Sequence, residues 1–158
     1  MSNEPMAAKV YTSAFFCDRL LREHDGILSA IRVVDLFSVQ VPEEMASAFT
    51  PRLETHLVVI FRAEVPLKFV ATIRTTDPRG QTRESKFPVT LTGVPGMYVY
   101  TGAIDLFING ALEGTNWYDI LTDGTLSNRL PLHVKHVKVP TSQELRQTWK
   151  SPGAAPRS

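Results

Sequence analysis

"GTNWYDILTDGTLSNRLPLHV", residues 114 to 134, decides the fold class. Two runs of β-branched, aromatic and aliphatic residues flank Asp123-Gly124. Asp-Gly between such runs is the strongest short-range hairpin signal, because the two-residue turn that matches strand twist needs positive φ. The same grammar repeats towards the N-terminus. "MYVYTGAIDLFI" (97–108) reads as a strand bent at Gly102, between the loops "GVPG" (93–96) and "NGALEG" (109–114). "KFVATIRTT" (68–76) and "ESKFPVTLT" (84–92) flank the turn "DPRG" (77–80), with proline second and glycine fourth. Pro88 marks an edge strand or bulge, since proline cannot donate to a ladder. "THLVVIFRA" (55–63) is too short for a typical helix and rich in β-branched residues, so it reads as a buried strand.

Nearer the start, residues 9–21 and "ILSAIRVVDLFSV" (27–39) form a hairpin about Asp25-Gly26. The second run is apolar on both faces of a period-2 pattern, which predicts a central strand covered on both sides, with Arg32 and Asp35 as polar intrusions. "PEEMASAF" (42–49) has proline at its start, two acids in its first turn and helix formers after them. It reads as a short helical connector stopped by Pro51.

The expected fold is therefore mainly β: a two-sheet antiparallel β-sandwich of immunoglobulin-like or jelly-roll-like topology with about eight strands. Residues 1–8 form an N-terminal extension, 9–139 the domain, and 140–158 a C-terminal helical tail that ends in a disordered "SPGAAPRS". Thr141 and Glu144 have capping-box spacing, and Leu145 and Trp149 lie four apart on one helical face, which makes them the candidates for docking a partner.

Composition narrows the classes of function. The 158-residue chain is 43% hydrophobic and 21% charged, with a net charge of +1. At 17.6 kDa it buries enough surface for its own core, exposing about 8,000 of roughly 25,500 Å² when folded. Lys and Arg are interleaved with Asp and Glu, which argues against nucleic acid as partner. No run approaches the ~18 apolar residues of a spanning helix. The N-terminus lacks the basic then apolar order of a signal peptide, and a lone Cys17 permits no internal disulfide. A cytoplasmic protein without a membrane partner is the expectation.

Two stretches carry a resemblance. "FFCDRLLREHDGILSAIRVVDLF" ends an apolar strand in Cys-Asp and continues through an Asp-Gly turn into an L-S-x-I-R-x-x-D strand, and the 114–134 stretch ends in P-L-x-V. In these features the chain resembles a large family of uncharacterised bacterial proteins, catalogued as a domain of unknown function, over roughly residues 9 to 137. The resemblance implies a β-sandwich and carries no activity, cofactor or catalytic residue. Asn116 stands where that pattern has an aromatic.

No catalytic constellation stands out. His133 and His136 are three apart, so on a strand they face opposite ways and cannot close on one ion without a bulge. Cys17 has no nucleophile signature and reads as a buried, inert thiol. Calcium would need six to eight oxygens, for which Asp77, Asn109 and Glu113 at one end of the sandwich are the candidates, although Asp and Asn also favour turns. Trp117 and Tyr118 point to opposite faces, so Trp117 is the candidate to stack on a sugar, while a sandwich core also wants a large aromatic there. "RTTDPRGQTRESK" gathers cations around a hairpin but is diluted by Asp77 and Glu84. The expected function is a non-enzymatic protein-interaction or accessory module, without cofactor, that binds a protein partner or itself. The alternative is a ligand-binding sandwich for calcium or carbohydrate. A core Trp117 with loop acids pointing apart favours the module, and an exposed aromatic beside convergent carboxylates favours ligand binding.

Overall fold

The computed structural model describes residues 8–24, 27–43 and 51–140. Its strands are β1 (Tyr11–Arg22), β2 (Leu28–Val34), β3 (Leu36–Pro42), β4 (Arg52–Ala63), β5 (Lys68–Thr76), β6 (Thr82–Thr90), β7 (Thr92–Val94), β8 (Met97–Asn109), β9 (Gly114–Thr122) and β10 (Thr125–Val139). They form two five-stranded sheets, ordered β2-β1-β4-β8-β7 and β3-β10-β9-β5-β6. No helix of the described residues is long and apolar enough to cross a membrane.

Ten strands replace the expected eight for two reasons. The expected loop at 93–96 contributes β7, which pairs with Met97–Val99. The run 27–39 is two strands joined at Asp35, and each lies at the edge of a different sheet rather than at the centre of one. Its two-faced apolar pattern comes from the crossing. Val34 faces the core from the first sheet, opposite Phe16. After Asp35 the parity changes, and Phe37 and Val39 face the same core from the second sheet. The two polar intrusions mark this manoeuvre. Arg32 has a left-handed backbone (φ 54°), which costs a non-glycine residue roughly 1–2 kcal/mol. The Asp35 carbonyl accepts a hydrogen bond from the His133 N–H at 2.8 Å.

The sheets are also not wholly antiparallel. β3 runs parallel to β10, from Leu36 opposite His133 to Pro42 opposite Val139. A chain that changes sheets enters the second one already aligned with β10, so no crossover helix is needed. The helix expected over 42–49 begins inside β3, whose last residue is Pro42. The rest of it beyond Glu43, the Asp25-Gly26 turn, and the tail with Leu145 and Trp149 lie outside the described residues.

Other expectations hold in detail. Pro88 sits in β6, an edge strand. Asp123 and Gly124 both have positive φ (46° and 83°), and Thr122 pairs with Thr125 across them, as a type I′ turn requires. Asp123 has a second role, since its N–H donates to the Val70 carbonyl and its carboxylate accepts from the Val70 N–H, both at 3.0 Å. The turn is thereby tied to the neighbouring strand.

The core lies between the sheets. Phe16 meets Tyr118 edge-on at 5.0 Å between centroids, and Phe61 meets Phe69 at 5.1 Å, so both pairs bridge the two sheets. Thr55 faces inward and satisfies its hydroxyl on the Cys17 carbonyl at 2.9 Å. Gly102 does not interrupt the β4–β8 register. It makes room for the Tyr100 ring, which a Cβ at this position would approach to 2.7 Å. Tyr100 is itself held against Phe61 and Phe87. Gly102→Ala should therefore lower unfolding stability by about 1–3 kcal/mol, as overpacking does, and chemical denaturation that showed no change would mean the ring yields freely.

Candidate functional site

The sandwich is not closed along its whole length. Between the far half of β8 and the β5–β6 hairpin lies a cleft of about 730 Å³. One wall is the apolar row Ile104, Leu106 and Ile108. The other is Thr75, Arg83 and Ser85, which take inward register positions but are polar. Further along β6 the inward positions are Phe87 and Val89, and there the sheets pack. Polar residues at inward positions cannot be buried against Ile and Leu without losing their hydrogen bonds, so the sheets part where the polarity changes.

Asn116 and Tyr118 also line the cleft. Asn116 is only 5% exposed, and its Nδ2 has no hydrogen-bond partner. A buried amide donor in that state is a rarity in a native fold. Burial pushes the Tyr118 phenol up to about 12, so it stays protonated.

The calcium candidates are placed as follows. Asp77 and Asn109 both line the cleft. Asp77 uses Oδ1 to cap its own turn, accepting from the N–H groups of Arg79 at 2.9 Å and Gln81 at 2.8 Å. Glu113 is turned to β10, where it accepts from the His136 N–H at 3.2 Å. Among the described residues no group of three or more His, Cys, Asp or Glu side chains is placed to hold a metal ion. His136 donates through Nε2 to the Ala111 carbonyl at 2.8 Å, while His133 Nδ1 meets the Thr115 hydroxyl at 2.9 Å.

Register makes one juxtaposition that spacing could not show. Cys17 pairs with His56 and His56 with Asp105, so a thiol, an imidazole and a carboxylate stand side by side on the outer face of the first sheet. His56 Nδ1 donates to Asp105 at 2.7 Å. A nucleophilic thiol needs exposure and a lowered pKa. Cys17 is 0% exposed, and burial, followed by the negative charge of Asp18, pushes its thiol up. Both effects run against activation.

The outer face of the second sheet is polar around one aromatic. Trp117 is 41% exposed, so it is not the core aromatic, a place taken by Tyr118. Arg129 lies over its ring at 5.6 Å and grips Asp119 through two hydrogen bonds, at 2.6 and 2.9 Å. The hydrogen bond from Arg129 holds the Asp119 carboxyl below its ordinary value, against the opposing effect of burial. Arg74 and Glu84 add an ion pair at 2.7 Å.

The outer face of the first sheet is mixed, an apolar patch bordered by Arg19, Glu54, Arg62 and the His56–Asp105 pair. Phe15, Val58 and Ala103 are cross-strand neighbours on it, and Ile60 adjoins them. Val33 is 67% exposed and Phe107 59%, with Tyr11, Leu21 and Ile31 also exposed. The signal for this face was present in "LVVIF" (57–61), which places apolar residues on both sides of β4. No comparable signal marked Asn116 beyond its departure from the aromatic pattern.

No family model matches the chain, and no curated protein matches it. Solved structures similar to it include a β-glucosidase from Listeria innocua bound to gluconolactone, 8% identical at a TM-score of 0.46, which covers 84% of this chain and 17% of its own. A Pseudomonas fluorescens alkylpurine DNA glycosylase, AlkC, bound to DNA with an abasic site analogue, is 10% identical at 0.43 and covers 81% and 31%. An immunoglobulin-like protein from Pseudomonas aeruginosa, 17% identical at 0.36, covers 81% and 98%. The chain thus spans less than a fifth of the glucosidase it matches.

Proposed function

We propose that this protein is a non-enzymatic accessory module that acts by binding protein, through the outer face of its first sheet. The observation that carries the reading is the set of exposed apolar side chains on that face, Tyr11, Leu21, Ile31 and Val33. Antiparallel sheets commonly turn a polar face to water, and the exposed apolar side chains on β1 and β2 depart from that rule. A second copy of the chain is the first partner to test, in an isologous pair about a two-fold axis. Leu145 and Trp149 remain proposed contributors from the tail. A cytoplasmic setting, with neither membrane nor nucleic acid as partner, belongs to the same proposal and is supported by the single cysteine and the near-neutral charge.

We further read the topology as immunoglobulin-like. The β10-β9-β5-β6 order within a five-stranded sheet, packed on a β4-β8-β7 sheet, supports this reading, since it matches the order of the extended sheet in variable-type domains. Membership of the uncharacterised bacterial family is part of the proposal and rests on the 15–37 and 114–134 stretches.

Val33→Glu, at the most exposed large hydrophobic of the face, supplies the test. Light scattering on the purified wild-type chain should show a dimer or a larger defined assembly, and the variant should shift to monomer with an unchanged far-ultraviolet spectrum. A wild-type monomer that also recovers no stoichiometric partner from its native cell would overturn the reading. One observation favours the alternative of carbohydrate binding: Trp117 is exposed beside Pro131 and Arg129 on the second sheet. Glycan-dependent quenching of tryptophan fluorescence, lost in Trp117→Ala, would establish that reading.

A further inference from the structure

We propose that the free edge of β8 accepts an extended segment of another polypeptide as an added strand, seated in the cleft between the sheets. This edge adjoins the outer face invoked above at Phe107, but the inference goes beyond that reading. β7 pairs only with Met97–Val99. From Tyr100 to Asn109, β8 therefore has no strand beside it on the side away from β4 among the described residues. Unpaired edges present a row of main-chain donors and acceptors.

The lining of the cleft shows that it borders this edge. Every residue from Ile104 to Asn109 takes part in it, the outward-facing Asp105 and Phe107 as well as the inward-facing Ile104, Leu106 and Ile108. A cavity against one face of a strand would be lined by alternate residues only. Consecutive lining is the mark of a strand edge, where both sets of side chains and the backbone between them are reached.

The dimensions fit one more strand. Six residues of β8 run for roughly 20 Å, and an added strand lies about 4.8 Å away, so the matching segment is about six residues long. Its inward side chains would meet Ile104, Leu106 and Ile108, which calls for apolar residues at alternate positions. The main chain would supply affinity and the alternate pockets selectivity. The polar wall of Thr75, Arg83 and Ser85 accounts for the cleft remaining open without that segment.

The test selects from a random hexapeptide library displayed on phage, using the full chain as bait, and then titrates an enriched peptide into isotope-labelled protein. The expected result is an enriched pattern with apolar residues at every second position, and saturable amide shifts centred on residues 100–109. N-methylation of alternate peptide amides should weaken binding at least ten-fold. Ser85→Trp, which fills the cleft from an exposed edge strand, should do the same while leaving the thermal midpoint unchanged. Failure to enrich any peptide would overturn the proposal, as would equal binding of the N-methylated peptide or shifts centred on β1 and β2. Shifts of the same amides by cellobiose, with none from peptide, would overturn it in favour of a sugar site. A monomeric wild-type chain would remove the self-association reading and leave this one standing, since it rests on the main-chain edge of β8 and not on Val33 and its neighbours in β1 and β2.

Discussion

Phe61→Ala is expected to lower the unfolding free energy by about 3–5 kcal/mol, the usual cost of a buried phenylalanine replaced by alanine. Phe61 is fully buried near the end of β4. Its ring meets Phe69 edge-on across the sheets and lies 6.2 Å from Tyr100. Removing it opens a cavity where the two sheets are held together, and strands paired on both sides cannot collapse into it. Urea denaturation checks this directly through the midpoint, provided the dependence on denaturant keeps its slope. A loss below about 1 kcal/mol would show that the packing between the sheets is looser than the edge-on contacts indicate.

The second large effect concerns the Arg129–Asp119 pair. Arg129→Ala leaves a carboxylate whose side chain is 7% exposed without its two strongest donors, at a cost of about 1–3 kcal/mol. Adding Asp119→Asn should return part of that loss, since the penalty lies in the stranded charge and the two changes are coupled. A double variant as unstable as the sum of the singles would refute the coupling. The same pair sets an acid response. Because the folded-state pKa is depressed, the pair contributes stability that is fully present above the ordinary carboxylate value of 3.8. That contribution is lost as pH falls through the lower folded-state value. The wild-type midpoint should therefore drop faster than that of Asp119→Asn below pH ~4.

Much of the fold was legible, and the reasons are local. Asp-Gly at 123–124 dictates its turn through two positive φ angles, and proline at 88 excludes a central strand. Asp77 likewise declared its turn, by the side-chain bonds that aspartate makes to its own backbone. The crossing at Asp35 was misread because period-2 analysis assumes that one strand keeps one partner sheet. Val34 and Phe37 differ in parity but face the same core. Nothing in residues 27–39 distinguishes a strand buried on both sides from one that changes sides. Trp117 and Tyr118 showed the same limit. Alternation established that they oppose each other, but not which of them faces the core.

The sequence by itself determined that this chain builds strands and turns, where most turns fall, and that β4 is apolar on both faces. Those properties depend on backbone sterics and on side-chain period, which act over a few residues. Tertiary structure alone decided which strand edges remain free, which face of the first sheet stays open, and that Cys17, His56 and Asp105 share a row. It also placed the cleft, because the separation of the sheets depends on polar residues of β6 meeting apolar residues of β8. Such pairings join positions many residues apart, and their free energy appears only when register brings them together.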